Sequence, residues 1–202
     1  FVEGFVGVAS IDAEDTVLDI ATGTARIPAK VAEILGSEGH AVGLDITPEM
    51  LRFARQNVPA AGGAANADLV CGSGMQLPFV GGTFDVVLCG LGTHHMSVPT
   101  MLAEMRRVLK RGGELVLADV GASHSWRSSL GRVLLRILVL RYRLTEGKAR
   151  AGAESDAIAN VRTSGEWKAL LANSGFENIQ IVEVKARRIW YPGALVMTAT
   201  AG

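Results

Sequence analysis

Apolar and polar residues follow two different periods along the first 120 positions of the chain. Short apolar runs at 17–21, 41–44, 67–71, 84–89 and 114–120 are bounded by turn-forming residues, as is typical of buried strands. The segments between most of these runs repeat apolar residues every three or four positions, which is the spacing of one helix face. Strands that alternate with helices predict a parallel sheet with right-handed crossovers.

Capping residues indicate where several of these helices begin and end. Thr47 can cap a helix that opens at Pro48, and Thr163 with Glu166 has the spacing of a capping box. The helix before the fifth apolar run is expected to continue to Gly112, since glycine commonly ends a helix.

The last part of the chain predicts a different arrangement. Residues 177–185 and 194–199 read as two strands joined by a short segment, and such a hairpin adds an antiparallel strand to the sheet. The predicted fold class is therefore α/β, a Rossmann-like doubly wound sheet of about seven strands. The sheet is expected to be mostly parallel, with one antiparallel strand from the C-terminal hairpin, in a single domain over residues 1–202.

Composition narrows the possible partners and the compartment. The 202 residues are 49% hydrophobic and 20% charged, with a formal net charge of zero, so no global charge attracts nucleic acid. Cys71 and Cys89 lie in apolar stretches without metal-ligand spacing, which predicts buried thiols in a reducing, cytoplasmic setting. The chain starts at Phe1 close to the first strand, and we expect an N-terminal segment to be missing.

The ends of the first two predicted strands carry the candidate chemistry. Ligands of open parallel sheets bind beyond the carboxyl ends of the strands. Gly23 follows the first strand in a run of small residues that lets a ligand approach the backbone. Asp45 ends the second strand about 20 residues later, a position suited to ribose hydroxyls. Because 21–26 holds a single glycine, an adenosine-type ligand is favoured over a dinucleotide.

Four phrases of the sequence resemble the motifs of one enzyme family. VLDIATGTA (17–25) resembles motif I of class I S-adenosylmethionine-dependent methyltransferases, and VGLDITPEML (42–51), MQLPFVGGTFDVVLC (75–89) and LKRGGELVLADV (109–120) resemble their later motifs in order. The similarity is greatest to the small-molecule branch that includes the ubiquinone and menaquinone biosynthesis C-methyltransferases. It implies S-adenosylmethionine as cofactor and methyl transfer to a small, apolar acceptor, at an oxygen, nitrogen or carbon atom that stays open.

The resemblance also implies which residues bind the cofactor. Asp19 and the loop after it flank the methionine portion, Asp45 holds the ribose hydroxyls, and Ile46 packs on adenine. Residues 73–75 border the adenine, and 89–91 line the methionine side. The implied cofactor-binding residues are Asp19, Ala21, Thr22, Gly23, Thr24, Asp45, Ile46, Met50, Ser73, Gly74, Met75, Cys89, Gly90 and Leu91.

Three residues depart from the family pattern. Ala21 and Ala25 replace glycines that are common in motif I, and Ser73 replaces an aspartate that accepts from the adenine amino group. A hydroxyl accepts less strongly than a carboxylate. These departures, with the start at Phe1, keep open a non-catalytic binding module as an alternative function.

Further alternatives concern catalysis. His94 and His95 follow the fourth strand and are candidates for a general base, although the catalytic residue stays open. Adjacent histidines do not have the spacing of metal ligands, and no metal is expected. A nicotinamide-dependent oxidoreductase shares the Asp45 argument, but the glycine pattern and a Tyr-x-x-x-Lys phrase are missing from the sequence.

The segment after the fifth strand is the least generic part of the chain. Residues 122–162 are expected to form an acceptor-side insertion, and 126–150 are rich in both basic residues and leucine. Such a helix could pack on its own domain, cover an apolar acceptor, form a homodimer or contact a membrane surface.

Overall fold

The computed structural model describes residues 1–58, 66–120, 162–184 and 193–202. Their strands form one seven-stranded sheet in the order β3-β2-β1-β4-β5-β7-β6. The strands are β1 (Thr16–Ile20), β2 (His40–Asp45), β3 (Asn66–Cys71), β4 (Phe84–Gly90), β5 (Leu109–Val120), β6 (Phe176–Val184) and β7 (Ala194–Ala201).

The direction of the strands confirms the predicted fold class. Strands β1 to β5 pair in parallel, whereas β7 lies antiparallel between β5 and β6. The register places Leu18 between Val42 of β2 and Val87 of β4, so the apolar runs of three strands meet in the middle of the sheet. The C-terminal hairpin therefore supplies the single antiparallel strand.

Helices cover both faces of this sheet. They are α1 (Val2–Val6), α2 (Arg26–Ala32), α3 (Pro48–Ala54), α4 (Val98–Val108), α5 (Ser164–Asn173) and a short 3-10 helix at Thr93–His95. Since successive strand residues point to opposite faces, alternate apolar residues build two separate cores. The first core includes Leu18, Val87, Leu117, Met101, Leu102 and Trp167. The second includes Val17, Leu88, Val116, Phe5 and Val31.

The predicted capping box at α5 is confirmed. The Thr163 hydroxyl accepts from the Glu166 amide at 3.3 Å, and the Glu166 carboxylate accepts from the Thr163 amide at 2.9 Å. Thr47 is the N-cap residue of α3, as predicted, but its side chain makes no capping bond. The Thr47 amide instead donates to the carboxylate of Asp45, which belongs to the candidate site.

The predicted end of α4 is wrong. The helix ends at Val108, and the next residue, Leu109, begins β5 by pairing with Phe84. The pairing register then shifts before Glu114, and Gly112 lies in this irregular stretch at a φ of +77°. Gly112 thus serves a bulge in the strand, because glycine adopts positive φ without steric cost.

The membrane-related predictions concern residues that the structure only partly covers. Among the described residues, no helix is long and apolar enough to cross a membrane. Residues 126–150, for which a membrane or dimer contact was considered, lie outside the described ranges, as does nearly all of the predicted insertion at 122–162.

Candidate cofactor-binding site

The predicted site residues converge at one edge of the sheet. Strands β1 and β4 are neighbours in the sheet. From β1 the chain continues to β2 and β3 on one side, and from β4 it continues to β5 on the other side. The gap between β1 and β4 is therefore the switch point where doubly wound sheets bind ligands. The loops after β1, β2, β3 and β4 all open at this edge. The Thr22 amide donates to the Leu44 carbonyl at 3.0 Å, and the Gly72 amide donates to the Asp45 carbonyl at 3.0 Å, so these loops are joined.

Asp45 links two of the loops through its side chain. One carboxylate oxygen accepts from the Gly23 amide and the other from the Thr47 amide, each at 2.8 Å. The residue is 7% exposed. Because each carboxylate oxygen can accept two hydrogen bonds, both still have a free acceptor position. Asp45 therefore shapes the turn after β1 and can also accept from two ligand hydroxyls.

Asp19 is a buried carboxylate within this site. It is 2% exposed, and neither of its oxygens has a hydrogen-bond partner within the described ranges. Burial raises the pKa of Asp19 to about 7, and the negative charge of Asp45 adds to the rise, whereas the nearby Thr22 hydroxyl lowers it. A buried acceptor without a partner is costly, so Asp19 is suited to a ligand that brings a donor or a positive charge.

The backbone is strained where strands β1 and β4 end. Ala21, Ala25 and Leu91 adopt positive φ angles of 59°, 57° and 62°. This left-handed region costs an L-residue roughly 1–2 kcal/mol, which explains why glycine suits positions 21 and 25. Gly23, also at positive φ, has open space where a Cβ would lie. The backbone at Gly23 is therefore sterically open on that side.

Two predicted glycines have a packing role at this edge. A Cβ on Gly74 would lie 2.7 Å from the Met96 sulfur, and one on Gly90 would lie 2.8 Å from Ile27. Beside Gly74, the Ser73 hydroxyl accepts from the Met75 amide at 3.2 Å and keeps its own proton available for a further bond. The loop after β3 can therefore approach the site closely.

Four predicted apolar residues that follow the carboxyl ends of β2, β3 and β4 are exposed, and we call them the apolar rim. The exposed fractions are 67% for Ile46, 44% for Met50, 37% for Met75 and 38% for Leu91. Exposed apolar side chains at the edge where doubly wound sheets bind ligands are suited to contact an apolar ligand group.

The two cysteines have different environments. Cys89 is fully buried at the end of β4, and its burial raises the pKa of its thiol, to which the charges of Asp19 and Asp119 contribute. The thiol therefore stays neutral and packs. The prediction that Cys71 is buried is wrong, because Cys71 is the last residue of the edge strand β3 and its side chain is exposed.

Sequence reasoning assigned no role to Asp119, at the end of β5. The residue is 2% exposed, one oxygen accepts from the Val120 amide at 2.8 Å, and the other has no partner in the described part of the chain. An aspartate that ends an apolar strand was the signal that identified Asp45, and the same signal was present here. Burial lowers the pKa of His94, and the charge of Asp119 raises it and so opposes that lowering.

Metal binding has no support in the described ranges. No group of three or more histidine, cysteine, aspartate or glutamate side chains there could hold a metal ion.

The strand order defines the class of fold, a Rossmann-like doubly wound α/β sheet, and part of the chain is similar to known methyltransferases. Residues 17–113 match a family model described as a methyltransferase domain. The demethylmenaquinone methyltransferase of Listeria welshimeri is 41% identical over 104 residues, which are 51% of this chain and 44% of that protein. The chain thus spans less than half the length of the curated relatives that it matches.

Solved structures agree with this assignment of the fold. A SAM-dependent methyltransferase from Aquifex aeolicus has a TM-score of 0.69 at 17% identity, covering 100% of this chain and 89% of that one. The Haemonchus contortus phosphoethanolamine N-methyltransferase 2, in complex with S-adenosylhomocysteine, has a TM-score of 0.76 at 13% identity, covering 98% of this chain and 52% of that one. These structures share the fold of this chain, which agrees with the resemblance to class I S-adenosylmethionine-dependent methyltransferases.

Replacing Asp19 with asparagine tests the cost of the buried carboxylate. Because the pKa of Asp19 is about 7 when folded and about 3.8 when unfolded, the folded state holds its proton more tightly, and stability falls as the pH rises between these values. Above pH 7 the penalty is on the order of 4 kcal/mol. Urea unfolding should show Asp19→Asn to be more stable than the unsubstituted protein at pH 8, with little difference near pH 4. Glu38→Gln, which changes an exposed carboxylate, is the control. If Asp19→Asn changed the free energy of unfolding equally at both pH values, this account would be contradicted.

Relief of strain at position 21 is a second expectation. Ala21→Gly should raise the free energy of unfolding by about 0.5–1 kcal/mol, since the left-handed strain removed exceeds the entropic cost of glycine. That gain corresponds to a rise in Tm of about 1–4 °C. Ala29→Gly, inside helix α2, is the matched control and should cost about 1 kcal/mol. If both variants destabilise equally, the strain at Ala21 is not significant.

Proposed function

We propose that the chain binds S-adenosylmethionine and transfers its methyl group to a small, apolar acceptor. The observation that carries this proposal is the buried carboxylate of Asp19 at the sheet edge, which has no hydrogen-bond partner among the described residues. S-adenosylmethionine brings an ammonium group and a sulfonium, both positive, whereas a dinucleotide brings an anionic pyrophosphate. A buried carboxylate attracts the former and repels the latter, which supports S-adenosylmethionine over NADH.

The other site residues fit the remaining parts of this cofactor. The free acceptor positions of Asp45 suit the two ribose hydroxyls, and the apolar rim suits the faces and edge of an adenine ring. Ser73 can contribute a hydroxyl at the adenine edge. On the opposite side, the tight turn at Leu91 and the small residues after β1 leave room for the methionine chain.

Methyl transfer from S-adenosylmethionine depends more on the positioning of the two reactants than on catalytic acid, base or nucleophilic groups. When bound, the cofactor supplies an electrophilic methyl carbon on a positively charged sulfur. Asp19 and Asp45 would hold the cofactor, and apolar side chains would exclude water from it. Positioning and the exclusion of water are the main sources of rate in a bimolecular displacement. A base is needed only when the acceptor must lose a proton.

The acceptor and the setting are the finer parts of this proposal. The curated relatives are named demethylmenaquinone methyltransferases, so demethylmenaquinone is the first acceptor to test. We also propose that residues 1–202 form a single domain. The exposed free thiol of Cys71 supports a reducing, cytoplasmic setting.

Calorimetric titration with S-adenosylmethionine, S-adenosylhomocysteine and NADH tests the cofactor. We expect the two sulfur compounds to bind at about micromolar Kd and NADH not to bind. Because Asp19 must be ionised to pair with the ammonium group, the affinity should rise by up to about tenfold per pH unit between pH 5 and pH 7. Asp19→Asn should flatten this pH dependence. Binding of NADH alone, or of none of the three, would overturn the proposal, and binding without turnover of any acceptor would favour a non-catalytic module.

The role of Asp45 is tested with a cofactor analogue. Asp45→Ala should weaken the binding of S-adenosylhomocysteine by about 1–3 kcal/mol, because ribose hydroxyls lose their acceptor. The substitution also frees the amides of Gly23 and Thr47, so loop disruption must be separated from lost contact. A 2′-deoxyribose analogue makes the separation, since its affinity should fall less on substitution if the contact is direct. Glu49→Gln in α3 is the control, and equal losses for both ligands would show an indirect role.

A further inference from the structure

Two charged side chains of helix α4 form an ion pair beside the loop after β3. The guanidinium of Arg107 donates from Nε to one oxygen of Glu104 at 2.7 Å and from Nη2 to the other at 2.8 Å. Neither residue belongs to the predicted cofactor contacts. An exposed ion pair within a helix stabilises a protein little. The partly exposed pair of Glu104 and Arg107 is therefore explained better by what else it binds.

The same pair holds the backbone of the loop after β3. The Leu77 amide donates to Glu104 at 2.7 Å, and the Leu77 carbonyl accepts from Arg107 at 2.9 Å. The Phe79 carbonyl accepts from Nη1 of Arg107 at 2.8 Å. Charged side chains thus bind both backbone polar groups of Leu77, and such hydrogen bonds are stronger than those between neutral groups. Because the Leu77 side chain is buried in the first core, the loop is fixed at this residue from two sides.

A tight turn connects Leu77 to the residues that are predicted to border adenine. The Gln76 amide donates to the Ser73 carbonyl at 3.1 Å, and the Met75 amide donates to the Ser73 hydroxyl at 3.2 Å. These bonds hold residues 73–76 together as one unit. A displacement of Leu77 is therefore passed on to Ser73 and Met75.

Other contacts fasten the loop at its start and in the turn. The Gly72 amide donates to the Asp45 carbonyl at 3.0 Å. The Ser97 amide, at the N-cap of α4, donates to the Met75 sulfur at 3.3 Å. A thioether sulfur is a weak acceptor. The pair of Glu104 and Arg107 is therefore the stronger of the two connections between α4 and this loop.

We propose that Glu104 and Arg107 are positioning residues for the adenine part of the cofactor, an inference that rests on the proposed binding of S-adenosylmethionine. They act through Leu77 and the turn at 73–76 rather than by contact with the ligand. A neutral hydroxyl such as that of Ser73 forms weaker hydrogen bonds than a charged group. Such a contact contributes to affinity only when it is held in place, so recognition of the base depends on the pair.

The charge of Glu104 persists over the pH range in which Asp19 titrates. The hydrogen bonds from Arg107 lower the pKa of Glu104, and the Leu77 amide adds to this effect, whereas burial opposes it. A carboxylate whose pKa is lowered stays ionised at neutral pH and loses its charge only in acid. The bonds from the pair to the loop are therefore present throughout the titration of Asp19, which keeps the two effects on affinity apart.

Two ligands, of which only one carries adenine, test this inference. S-adenosylhomocysteine and S-ribosylhomocysteine share the homocysteine and the ribose. Arg107→Lys keeps the charge but loses the planar fork that binds Glu104 and the two carbonyls, and Glu104→Gln removes the negative charge. Each substitution should raise the Kd of S-adenosylhomocysteine about 3- to 10-fold and leave the Kd of S-ribosylhomocysteine unchanged. Calorimetry measures the first ligand, and NMR titration measures the second.

Arg106→Lys is the matched control. Arg106 is the neighbouring residue of α4, and it binds the backbone oxygens of Gly175 and Gly202, each at 3.0 Å, instead of the loop. It should leave both Kd values unchanged, even if urea unfolding shows the same loss of stability as for Arg107→Lys. With an accepted substrate, Arg107→Lys should raise the KM for S-adenosylmethionine and leave kcat unchanged, as expected when only binding is lost.

The outcomes distinguish this inference from the proposed function. If the unsubstituted protein does not bind S-adenosylhomocysteine, the proposed function falls. If that protein binds it and the substitutions at Glu104 and Arg107 weaken both ligands equally, or neither of them, the positioning role alone is overturned. A rise in the Kd of S-adenosylhomocysteine for Arg106→Lys as large as that for Arg107→Lys would likewise overturn it.

Discussion

The geometry of the site depends on the carboxylate of Asp45 and the two backbone amides that it binds. Those bonds tie the turn after β1 to the start of α3, although these loops belong to different strand-helix units. A single buried side chain thus sets the distance between the small-residue turn and the apolar rim. The same carboxylate keeps acceptor positions for a ligand, so the structural role and the proposed binding role do not compete.

Much of the fold could be predicted because its signals are local. The apolar runs that lead into the small-residue turn at Gly23 and into Asp45 indicate buried strands. The capping box at Thr163 indicates the residue at which α5 starts. The end of α4 could not be predicted, because an apolar Leu109 suits both the end of a helix and the start of a strand. The pairing of Leu109 with Phe84 decides for the strand. That pairing joins distant positions in the sequence, and no local pattern contains it.

The structure places the candidate acidic residues Asp19 and Asp45 in strands β1 and β2, as the sequence indicated, but their surroundings could not be read from the sequence. The partners of a side chain depend on neighbours from other strands. The exposure of Cys71 follows from its place on the edge strand β3, and the sequence does not say which strand lies at an edge. The environment of Asp119 likewise depends on a loop that follows a different strand, β4.

The candidate site combines several features that oppose folding. Left-handed turns at Ala21, Ala25 and Leu91 store strain, and Asp19 and Asp119 place carboxylates where water cannot solvate them. Strain and unpaired polar groups of this kind persist only where the surrounding sheet enforces them. The described sheet supplies that enforcement through two cores that hold the strand ends from both faces. A ligand that pairs with Asp19 and covers the apolar rim would recover part of the cost on binding, so the instability of the empty site is a source of affinity for a positively charged, partly apolar molecule.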